Sequence, residues 1–307
     1  MQNKKQAHLA LIIAGLLFGA NYWVAKSAMP AFSPYEIVSF RVITAAIVFW
    51  ILGFFFPDKQ KMSKKHLLRV SIAGFLGVTL NQLLFFMGLE HSTPVETSIL
   101  HTLSPLLVTG FAAWLLKEKI TVRKIVGILA GLVGAVIIVT SGKSLDLGNL
   151  HFTGNLLIIA NIIAYSMYLI LIKPLMVKYS PFQVTKYAFY AGLLTYAPFA
   201  IYHMEGASFA HITPIGWWSL VYVVFGTTII TYILTSYAMQ KLSATVVGFY
   251  IYLQPFIATL IGYLYYKEQL TYSVLIASIF LFVGVWLVIG GKTKKENNII
   301  QSDQDSG

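Results

Sequence analysis

The sequence contains no cysteine, and only 11% of its 307 residues are charged. The missing cysteines exclude disulfides, zinc–thiolate sites and thiol nucleophiles. A water-soluble domain usually carries about 25% charged residues, so this chain has too little charge to cover a surface in water. Hydrophobic residues make up 57% of the chain, and the mean hydropathy is +0.74. We therefore expect lipid to surround most of the molecule.

Motifs of several enzyme and pump classes are also missing. The complete Gly-x-x-x-x-Gly-Lys-Thr phosphate-binding motif, the His-Glu-x-x-His motif and the Gly-x-Ser-x-Gly motif do not occur. We therefore expect a protein that is not an enzyme and that uses no cofactor, no metal and no direct ATP hydrolysis by this chain.

Long apolar runs separated by short polar breaks are what the sequence has instead. A hydrocarbon core about 30 Å thick needs roughly 20 helical residues. Strands are excluded because the runs are too long and are apolar all round. The sequence predicts an all-α membrane protein with ten transmembrane helices near 8–28, 34–56, 67–89, 94–116, 121–141, 154–173, 181–203, 214–239, 244–266 and 271–290.

Basic residues indicate the orientation of these helices. They concentrate after the second, fourth and tenth helices: Lys59, Lys61, Lys64, Lys65, Arg69, Lys117, Lys119, Arg123, Lys124, Lys292, Lys294 and Lys295. The loops on the other side hold few, chiefly Lys143 and Lys267. Because cytoplasmic loops are enriched in Lys and Arg, we expect a multi-pass protein of the cell (inner) membrane with both termini in the cytoplasm. Topology thus accounts for the net charge of +11, and we expect no nucleic-acid partner.

The sequence also repeats itself at an offset of 150 residues. Residues in the first half match similar or identical residues in the second. Gly88, Pro94, Pro105, Lys117-Glu118 and Gly134 correspond, in that order, to Ala238, Ala244, Pro255, Lys267-Glu268 and Gly284. Duplicated membrane units are mostly transporters. Because each half has an odd number of helices, the second half is expected to be inverted. We place the first repeat at 1–145, the second at 151–291 and a disordered cytoplasmic tail at 292–307.

The start of each half repeats at an offset of 147 residues, where Ser33-Pro34-Tyr35-Glu36 matches Ser180-Pro181-Phe182-Gln183. This pattern predicts a helix start: Ser caps, Pro occupies the first turn, and Glu or Gln reaches back to the cap amide. Thr93-Pro94-Val95-Glu96 repeats it at the fourth helix. Capping therefore explains Glu36 and Glu96.

These motifs resemble those of the drug/metabolite transporter superfamily, in its EamA branch. The resemblance rests on Lys26 at the end of the first helix, Arg41 in a Pro-initiated second helix, and mid-helix Pro105 and Pro255, each followed by a Lys-Glu pair. It implies ten helices in two inverted five-helix repeats around a central cavity that opens alternately to each side. Ala188 stands at the repeat position of Arg41, so any role of Arg41 is not duplicated.

Arg41 lies seven residues after Pro34, roughly 10 Å into the bilayer at about 1.5 Å per residue. A central arginine costs about 2.5–3.5 kcal/mol on insertion scales, so it should face protein or water. Two interpretations remain open: a contact with an anion in the cavity, or a structural bond to helix-end carbonyls. Lys26 is near a helix end and is interpreted as reaching lipid headgroups. His101 is either a proton relay or a neutral ring bonded to a neighbouring hydroxyl.

Amide, aromatic and hydroxyl side chains deep in the helices are the candidates for the cavity wall. Amides in lipid are costly without partners, and 16 of the 18 tyrosines lie after residue 160, several too deep for an interfacial belt. The substrate-binding candidates are Tyr22, Arg41, Asn81, Gln82, His101, Tyr165, Tyr168, Thr231, Tyr250 and Gln254. Pro105 and Pro255 are candidates for kinks that let each half bend.

The sequence therefore predicts a carrier, passive or proton-coupled, that moves a small organic metabolite, with amino acids, especially large or aromatic ones, as the first substrate class and export as the direction. Tyrosines would contact the substrate side chain, and Arg41, with Lys26 as the alternative, would bind its carboxylate. The alternatives are a carrier of anionic metabolites or drugs and, in a different class, an intramembrane enzyme that uses His101 with Glu96. The glycine face of Gly127, Gly131 and Gly134 serves packing within the bundle or in a homodimer.

Overall fold

The computed structural model describes residues 2–58, 60–115, 120–140, 149–204, 209, 212–242, 244–267 and 271–289. All regular structure in these ranges is helical. Several features singled out in the sequence lie outside the described residues: Lys117-Glu118, Lys143, Glu268, the junction around residue 145 and the tail 292–307.

The fold is a bundle of α-helices, several of which are joined end to end. In chain order the helices are α1 Gln2–Ala28, α2 Pro34–Phe55, α3 Lys64–Gly74, α4 Asn81–His91, α5 Pro94–Leu100, α6 Ser104–Leu115, α7 Val122–Thr140, α8 Leu150–Lys178, α9 Pro181–Met204, α10 Pro214–Val221, α11 Thr231–Lys241, α12 Ala244–Phe249, α13 Leu253–Ile261 and α14 Tyr272–Ile289. The joining segments are π-helical at Phe75–Leu80, Tyr222–Ile230 and Gly262–Tyr266 and 3-10 helical at His101–Leu103 and Tyr250–Tyr252.

Seven helical segments in the described part of the chain are long and apolar enough to cross a membrane: Lys4–Ala28, Pro34–Phe55, Lys64–His91, Pro94–Leu115, Leu150–Lys178, Pro214–Lys241 and Val246–Tyr266. Large apolar side chains also point away from the protein, for example Trp50 at 59% and Leu194 at 76% exposure. A surface of this kind requires lipid, so the chain is an integral membrane protein. The count of ten crossings and the inversion of the second half stay predictions.

Capping signals set the helix starts. The Ser33 amide donates to Glu36 Oε2 at 2.7 Å, and the Glu36 amide donates to Ser33 Oγ at 3.3 Å. This reciprocal capping box confirms the predicted start of α2. At the matching start of α9, the Gln183 amide N–H donates to Ser180 Oγ at 3.1 Å, but the Gln183 side chain donates to the Gln60 carbonyl. The second cap is therefore only half of a box.

Irregular helical segments recur at matching places in the two halves. The π segment before α4 has a counterpart before α11, and a 3-10 turn precedes the helical turn of Pro105 as another precedes that of Pro255. Proline removes a helix hydrogen bond and disturbs the turn before it, which accounts for the 3-10 turns. The predicted kinks thus fall where the helices are broken.

Glycines bring α7 and α14 into close contact. A Cβ atom on Gly134 would lie 2.8 Å from the Ala277 carbonyl oxygen, and one on Gly284 would lie 2.5 Å from the Gly127 carbonyl oxygen. Both approaches are shorter than a Cβ can tolerate, so the backbones meet only because glycine stands there. The glycine face of α7 is consequently used within the bundle, and it lends no support to a homodimer.

The first helix of each predicted repeat packs into the other half of the molecule. Helix α1 packs against α10, α11 and α13, while α8 packs against α4 and α6. The Trp23 indole donates to the Ala258 carbonyl at 2.7 Å across one of these contacts. The space enclosed where α1 and α8 cross between the halves holds the candidate site.

Candidate functional site

A central cavity collects most of the predicted candidates. It contains about 640 Å³ of atom-free space, part of it open to the surroundings. Side chains from both halves line it: Phe18, Asn21, Tyr22, Arg41, Asn81, Gln82, Phe85, His101, Ser104, Asn161, Ile162, Tyr165, Tyr232, Ile251 and Gln254. Seven of the ten predicted substrate-binding residues are among them. The volume and the mix of apolar and polar groups suit a small organic molecule.

Arg41 supplies the permanent charge of the cavity wall. It is 5% exposed, its Nε donates to Thr228 Oγ1 at 2.7 Å, and its guanidinium lies 5.0 Å from the Phe86 ring centroid. The Thr228 hydroxyl itself donates to the Val223 carbonyl at 2.9 Å, which fixes its lone pairs toward Arg41. The helix-end-carbonyl interpretation of Arg41 is therefore wrong. No described carboxylate pairs with Arg41, so its terminal nitrogens are available to a bound anion.

Two buried amides in the wall keep unpartnered polar atoms. Gln82 is 1% exposed, and neither its Oε1 nor its Nε2 has a hydrogen-bond partner. The neighbouring Tyr232 hydroxyl donates to the Gly77 carbonyl at 2.7 Å, and its lone pairs face the Gln82 amide. Asn161 donates to the Asn81 carbonyl at 2.6 Å, but its Oδ1 is also without a partner. A buried polar atom left unpaired costs about 1–3 kcal/mol, and a molecule bound in the cavity could pair with these atoms.

Aromatic side chains form the apolar part of the wall. The Tyr22 hydroxyl donates to Gln254 Oε1 at 2.7 Å and so joins α1 to α13. The Tyr165 and Tyr168 rings stack, with centroids 5.9 Å apart, and Tyr168 packs on Tyr232 at 6.2 Å. These flat faces can receive an apolar or aromatic substrate group.

His101 lies in the wall but acts in part as a structural residue. Its Nδ1 lies 2.8 Å from the Thr97 carbonyl oxygen, which can only accept, so Nδ1 carries a hydrogen. The partner is thus a backbone carbonyl and not the hydroxyl that we expected. Its ring packs edge-on against Tyr22 and Phe85, and the Asn161 side chain lies within hydrogen-bonding reach of the ring.

Three predicted candidates lie outside the central cavity. Tyr168 lines a smaller adjoining pocket with Tyr165 and Tyr232, and Tyr250 lines another with Phe18 and Gln254. Thr231 lines none of these spaces, because its hydroxyl bonds the Thr227 carbonyl one turn earlier at 2.7 Å. The Thr231 hydroxyl therefore forms a hydrogen bond within its own helix, as hydroxyls in membrane helices often do.

Several wall residues were missed by sequence reasoning. Asn21 and Asn161 carried the same signal as Asn81, an amide deep in an apolar helix. Tyr232 is another of the tyrosines that lie too deep for an interfacial belt. The remaining missed residues are ordinary apolar or hydroxyl side chains for which the sequence offered no signal: Phe18, Phe85, Ser104, Ile162 and Ile251.

Glu96 does not act as the predicted capping residue alone. Its amide N–H donates to Thr93 Oγ1 at 3.2 Å, as expected. Its carboxylate, however, lies 2.9 Å from His151 Nε2 and accepts from Asn155 Nδ2 at 3.2 Å. The enzyme hypothesis required Glu96 to act with His101, but each of these side chains has a different partner.

Lys26 and Lys173 hold helix ends. Lys26 Nζ donates to the carbonyls of Leu89, Glu90 and Ser92 at 2.7–3.1 Å, so the headgroup interpretation of Lys26 is wrong. Lys173 Nζ donates in the same way to the carbonyls of Met239 and Leu242, at 2.8 and 2.9 Å. Each lysine binds the free carbonyls at the C-terminus of a neighbouring helix.

The described residues contain no group of three or more His, Asp or Glu side chains that could hold a metal ion. The site's chemistry, as far as these residues show it, is therefore hydrogen bonding, one positive charge and aromatic contact.

Comparison with known proteins gives the family context. Residues 5–140 and 152–290 each match the model of the EamA-like transporter family. An uncharacterized transporter of Archaeoglobus fulgidus is 27% identical, with 92% of this chain and 96% of that protein covered. A solved structure titled only as a crystal structure of a protein is 20% identical, with a TM-score of 0.65 over 93% of this chain and 96% of that one. That likeness supports the fold.

Two further relatives have names that mention a solute. An S-adenosylmethionine/S-adenosylhomocysteine transporter of Chlamydia muridarum is 23% identical, with 91% of this chain and 90% of that protein covered. A probable terminal-alkyne amino-acid exporter of Streptantibioticus cattleyicolor is 24% identical, with 71% of this chain and 72% of that protein covered.

Proposed function

Because this chain belongs to the EamA-like transporter family, we propose that it is a secondary transporter of the cell membrane that exports small organic metabolites, with amino acids as the first substrate class. Transport proceeds by alternating access through the central cavity, between two inverted repeats, with both termini in the cytoplasm. The substrate enters the cavity from one face and leaves at the other after a change in helix packing.

The observation that carries this proposal is the combination of one cation with unpartnered amides in a buried cavity. The terminal nitrogens of Arg41 suit a carboxylate, which guanidinium binds in a bidentate manner. The free oxygens of Gln82 and Asn161 suit the N–H groups of an ammonium. The cavity wall contains no carboxylate among the described residues, so a doubly cationic solute would find no countercharge there. A zwitterion with one carboxylate fits these groups best.

The aromatic wall supports amino acids with large side chains. Tyr22, Tyr165 and Tyr232 present ring faces next to the polar groups, and the adjoining Tyr168 pocket extends the apolar surface. Burial of an apolar side chain against such rings contributes about 25 cal/mol per Å². The names of two relatives support the same class, because terminal-alkyne amino acids and S-adenosylmethionine both carry an α-amino acid group.

An anionic metabolite or a drug is the rival substrate. Arg41 is one positive charge, whereas multiply charged anions usually need several cations. The tyrosine stack would accept a flat drug ring as readily as an aromatic amino acid. The geometry of the cavity therefore does not distinguish amino acids from these other substrates, and a comparison of transported solutes is needed.

Counterflow in proteoliposomes tests the proposal, because it needs no assumed driving force. Vesicles are loaded with one unlabelled solute, and uptake of the labelled solute is followed, for aromatic amino acids, aliphatic amino acids, carboxylated metabolites and amphipathic drugs. We expect transient accumulation of amino acids, fastest for aromatic ones. Accumulation of carboxylated metabolites or drugs without amino acids would overturn the substrate class, and no accumulation of any solute by folded protein would overturn the carrier.

A further inference from the structure

A second polar cluster lies outside the cavity, at one end of it. Ser92, Glu96, His151 and Asn155 form it, and Lys26 binds the backbone beside them. Asn155 is completely buried and Ser92 is 4% exposed. The transport proposal does not use these side chains, and a buried group of titratable residues in a membrane protein calls for an explanation.

The cluster sits beyond the cavity on every helix that contributes to it. Lys26 is four residues past Tyr22 on α1, and Asn155 is six residues before Asn161 on α8. At about 1.5 Å per residue, the cluster lies roughly 6–10 Å from the cavity wall. The predicted topology places this end of the cavity outside the cytoplasm. In that topology, the cluster therefore lies at the extracytoplasmic end of the cavity.

Contacts in the cluster join the two predicted repeats. Ser92 and Glu96 belong to the first, while His151 and Asn155 begin α8 at the start of the second. The helices also touch closely here, because a Cβ on Gly154 would lie 2.9 Å from the Gly88 carbonyl oxygen. Helix α8 also packs on α4 and α6, so a movement that opens this end by separating α5 from the start of α8 would break the Glu96–His151 contact.

The hydrogen-bond geometry shows that this contact requires a proton. His151 Nδ1 lies 3.1 Å from the His91 carbonyl oxygen, which can only accept, so Nδ1 carries a hydrogen. His151 Nε2 lies 2.9 Å from Glu96 Oε2. With Nδ1 protonated, a neutral ring would aim the Nε2 lone pair at a carboxylate lone pair. One proton must therefore lie between Nε2 and Oε2.

We propose that Glu96 and His151 bind one shared proton that locks the extracytoplasmic end of the cavity, and that loss of this proton unlocks it. Asn155 orients the carboxylate by donating to Oε2 at 3.2 Å, and the Ser92 hydroxyl holds Asn155 Oδ1 at 2.5 Å. The side chains of His151 and Glu96 are 26% and 13% exposed, so the proton can exchange with the outer solution. The ligand of this site is thus a proton.

The other charged groups near the lock have separate partners. Lys26 binds three carbonyls. Glu90 pairs with His91 at 3.7 Å on the exposed side. Glu96 and His151 contact each other directly, at 2.9 Å, so the proton between them affects this contact more than the neighbouring charges do.

Among the residues that the structure describes, no equivalent pair is found at the opposite end. At the repeat offsets, Val246 stands where Glu96 would recur and Lys4 stands where His151 would recur. The contact found there joins His8 Nδ1 to the Tyr250 hydroxyl at 2.7 Å. The proposed proton lock is therefore specific to one face, which makes the response of the two faces to pH different.

The absence of cysteine permits a test that needs no substrate. Ile162→Cys places one thiol in the cavity wall, and a membrane-impermeant maleimide is applied to intact cells or to inverted vesicles. Each rate from the outer face is divided by the rate from the cytoplasmic face at the same pH, so that the ionisation of this thiol cancels. The Ile162→Cys parent should label from the outer face at least about fivefold faster at about pH 8.5 than at about pH 6, since a partly exposed pair is worth roughly 1 kcal/mol.

Variants in the Ile162→Cys background show which residues cause this dependence of labelling on pH. A glutamine amide can donate to the bare Nε2, so Glu96→Gln should keep the lock closed and remove the pH response. His151→Phe removes the bond and should label quickly at both pH values. The control Glu90→Gln should respond as the parent does. Size-exclusion profiles establish that each variant is folded.

The outcomes separate this inference from the transport proposal on which it rests. Equal labelling at the two pH values in the parent, or a full response in Glu96→Gln, would overturn the lock. Labelling only from the cytoplasmic face at every pH would contradict the proton lock but would still be consistent with a transport cavity. Labelling from neither face, with folded protein, would overturn the transport path and the lock together.

Discussion

Gln82 is a buried amide to which the fold gives no hydrogen-bond partner. Stability alone would favour an apolar residue at this position, because an unpaired amide costs about 1–3 kcal/mol. Residues that lower stability without an evident structural gain are concentrated at functional sites. At the residue scale, the strongest sign of a binding site is thus a polar atom that the protein itself does not satisfy.

Gln82→Leu should raise thermal stability and lower transport. The change removes an unpaired amide, which is worth about 1–3 kcal/mol, and removes a substrate contact. Gln254→Leu is the matched control, because Gln254 Oε1 already accepts from Tyr22 and its loss should lower stability. Melting by size exclusion and counterflow would be measured for both. Destabilisation by Gln82→Leu as large as that of Gln254→Leu would contradict the assignment.

Arg41→Gln should weaken substrate binding by about 2 kcal/mol, or roughly thirtyfold in affinity, because it removes a charged hydrogen bond. Arg41→Lys keeps the charge but loses the planar fork and the Nε bond to Thr228, so it should restore only part of the loss. Arg69→Gln, on α3 outside the cavity, is the control. The concentration dependence of counterflow gives the affinities, and an unchanged value in Arg41→Gln would refute the role of this residue.

The sequence allowed us to predict the location of polar residues deep in the membrane, because the surrounding lipid restricts where they can lie. It did not allow us to predict contacts between residues that are far apart in the chain. Arg41, Asn81 and Gln82 could be placed in the wall because polar groups at that depth must face protein or water. The Glu96–His151 contact could not be foreseen, because the local capping pattern explained Glu96 and nothing in sequence links it to α8. Lys26 was misread for the same reason: its partners are backbone carbonyls 63–66 residues away.

At the scale of whole helices, the close packing of α7 on α14 depends on glycine. Gly284→Ala should destabilise the protein by about 1–3 kcal/mol, because its Cβ would press on the Gly127 carbonyl at 2.5 Å. Gly110→Ala on α6 is the control, because the nearest atom to its Cβ is 4.0 Å away. Thermal melting in detergent measures both, and equal melting temperatures would show that α7 and α14 can move apart at no cost.

The lysines Lys26 and Lys173 should contribute similarly to stability, because each caps a helix C-terminus through carbonyl hydrogen bonds. We expect Lys26→Met and Lys173→Met each to destabilise by about 1 kcal/mol. Lys178→Met is the control, since that side chain is exposed at the end of α8. Melting curves of the three variants would give the comparison, and a loss in only one of the two capping variants would contradict their equivalence.

Helix bounds were largely predictable because apolar runs and capping residues are local signals. The predicted segments at 34–56 and 181–203 end within one residue of α2 and α9. The π and 3-10 interruptions were not predicted as such, although Pro105 and Pro255 indicated where two of them fall. Such interruptions depend on neighbouring helices that supply or remove hydrogen bonds.

At the scale of the molecule, two similar halves differ in the residues that carry charge. Arg41 has Ala188 as its counterpart, and Glu96 has Val246. Backbone features such as the π segments and the lysine caps recur in both halves. A duplicated scaffold can supply two equivalent packing states, and we propose that the unmatched charges give the substrate one orientation and make one face respond to pH.

The most direct test of the account is whether one cavity reaches both faces in turn and binds substrate. Asn81→Cys in this cysteine-free chain would be labelled with a membrane-impermeant thiol reagent from the cytoplasmic face and from the opposite face, with and without an aromatic amino acid. The account predicts labelling from each face and slower labelling from both when the amino acid is present. A thiol that reacts from neither face, or that reacts freely from both and is not protected, would contradict it.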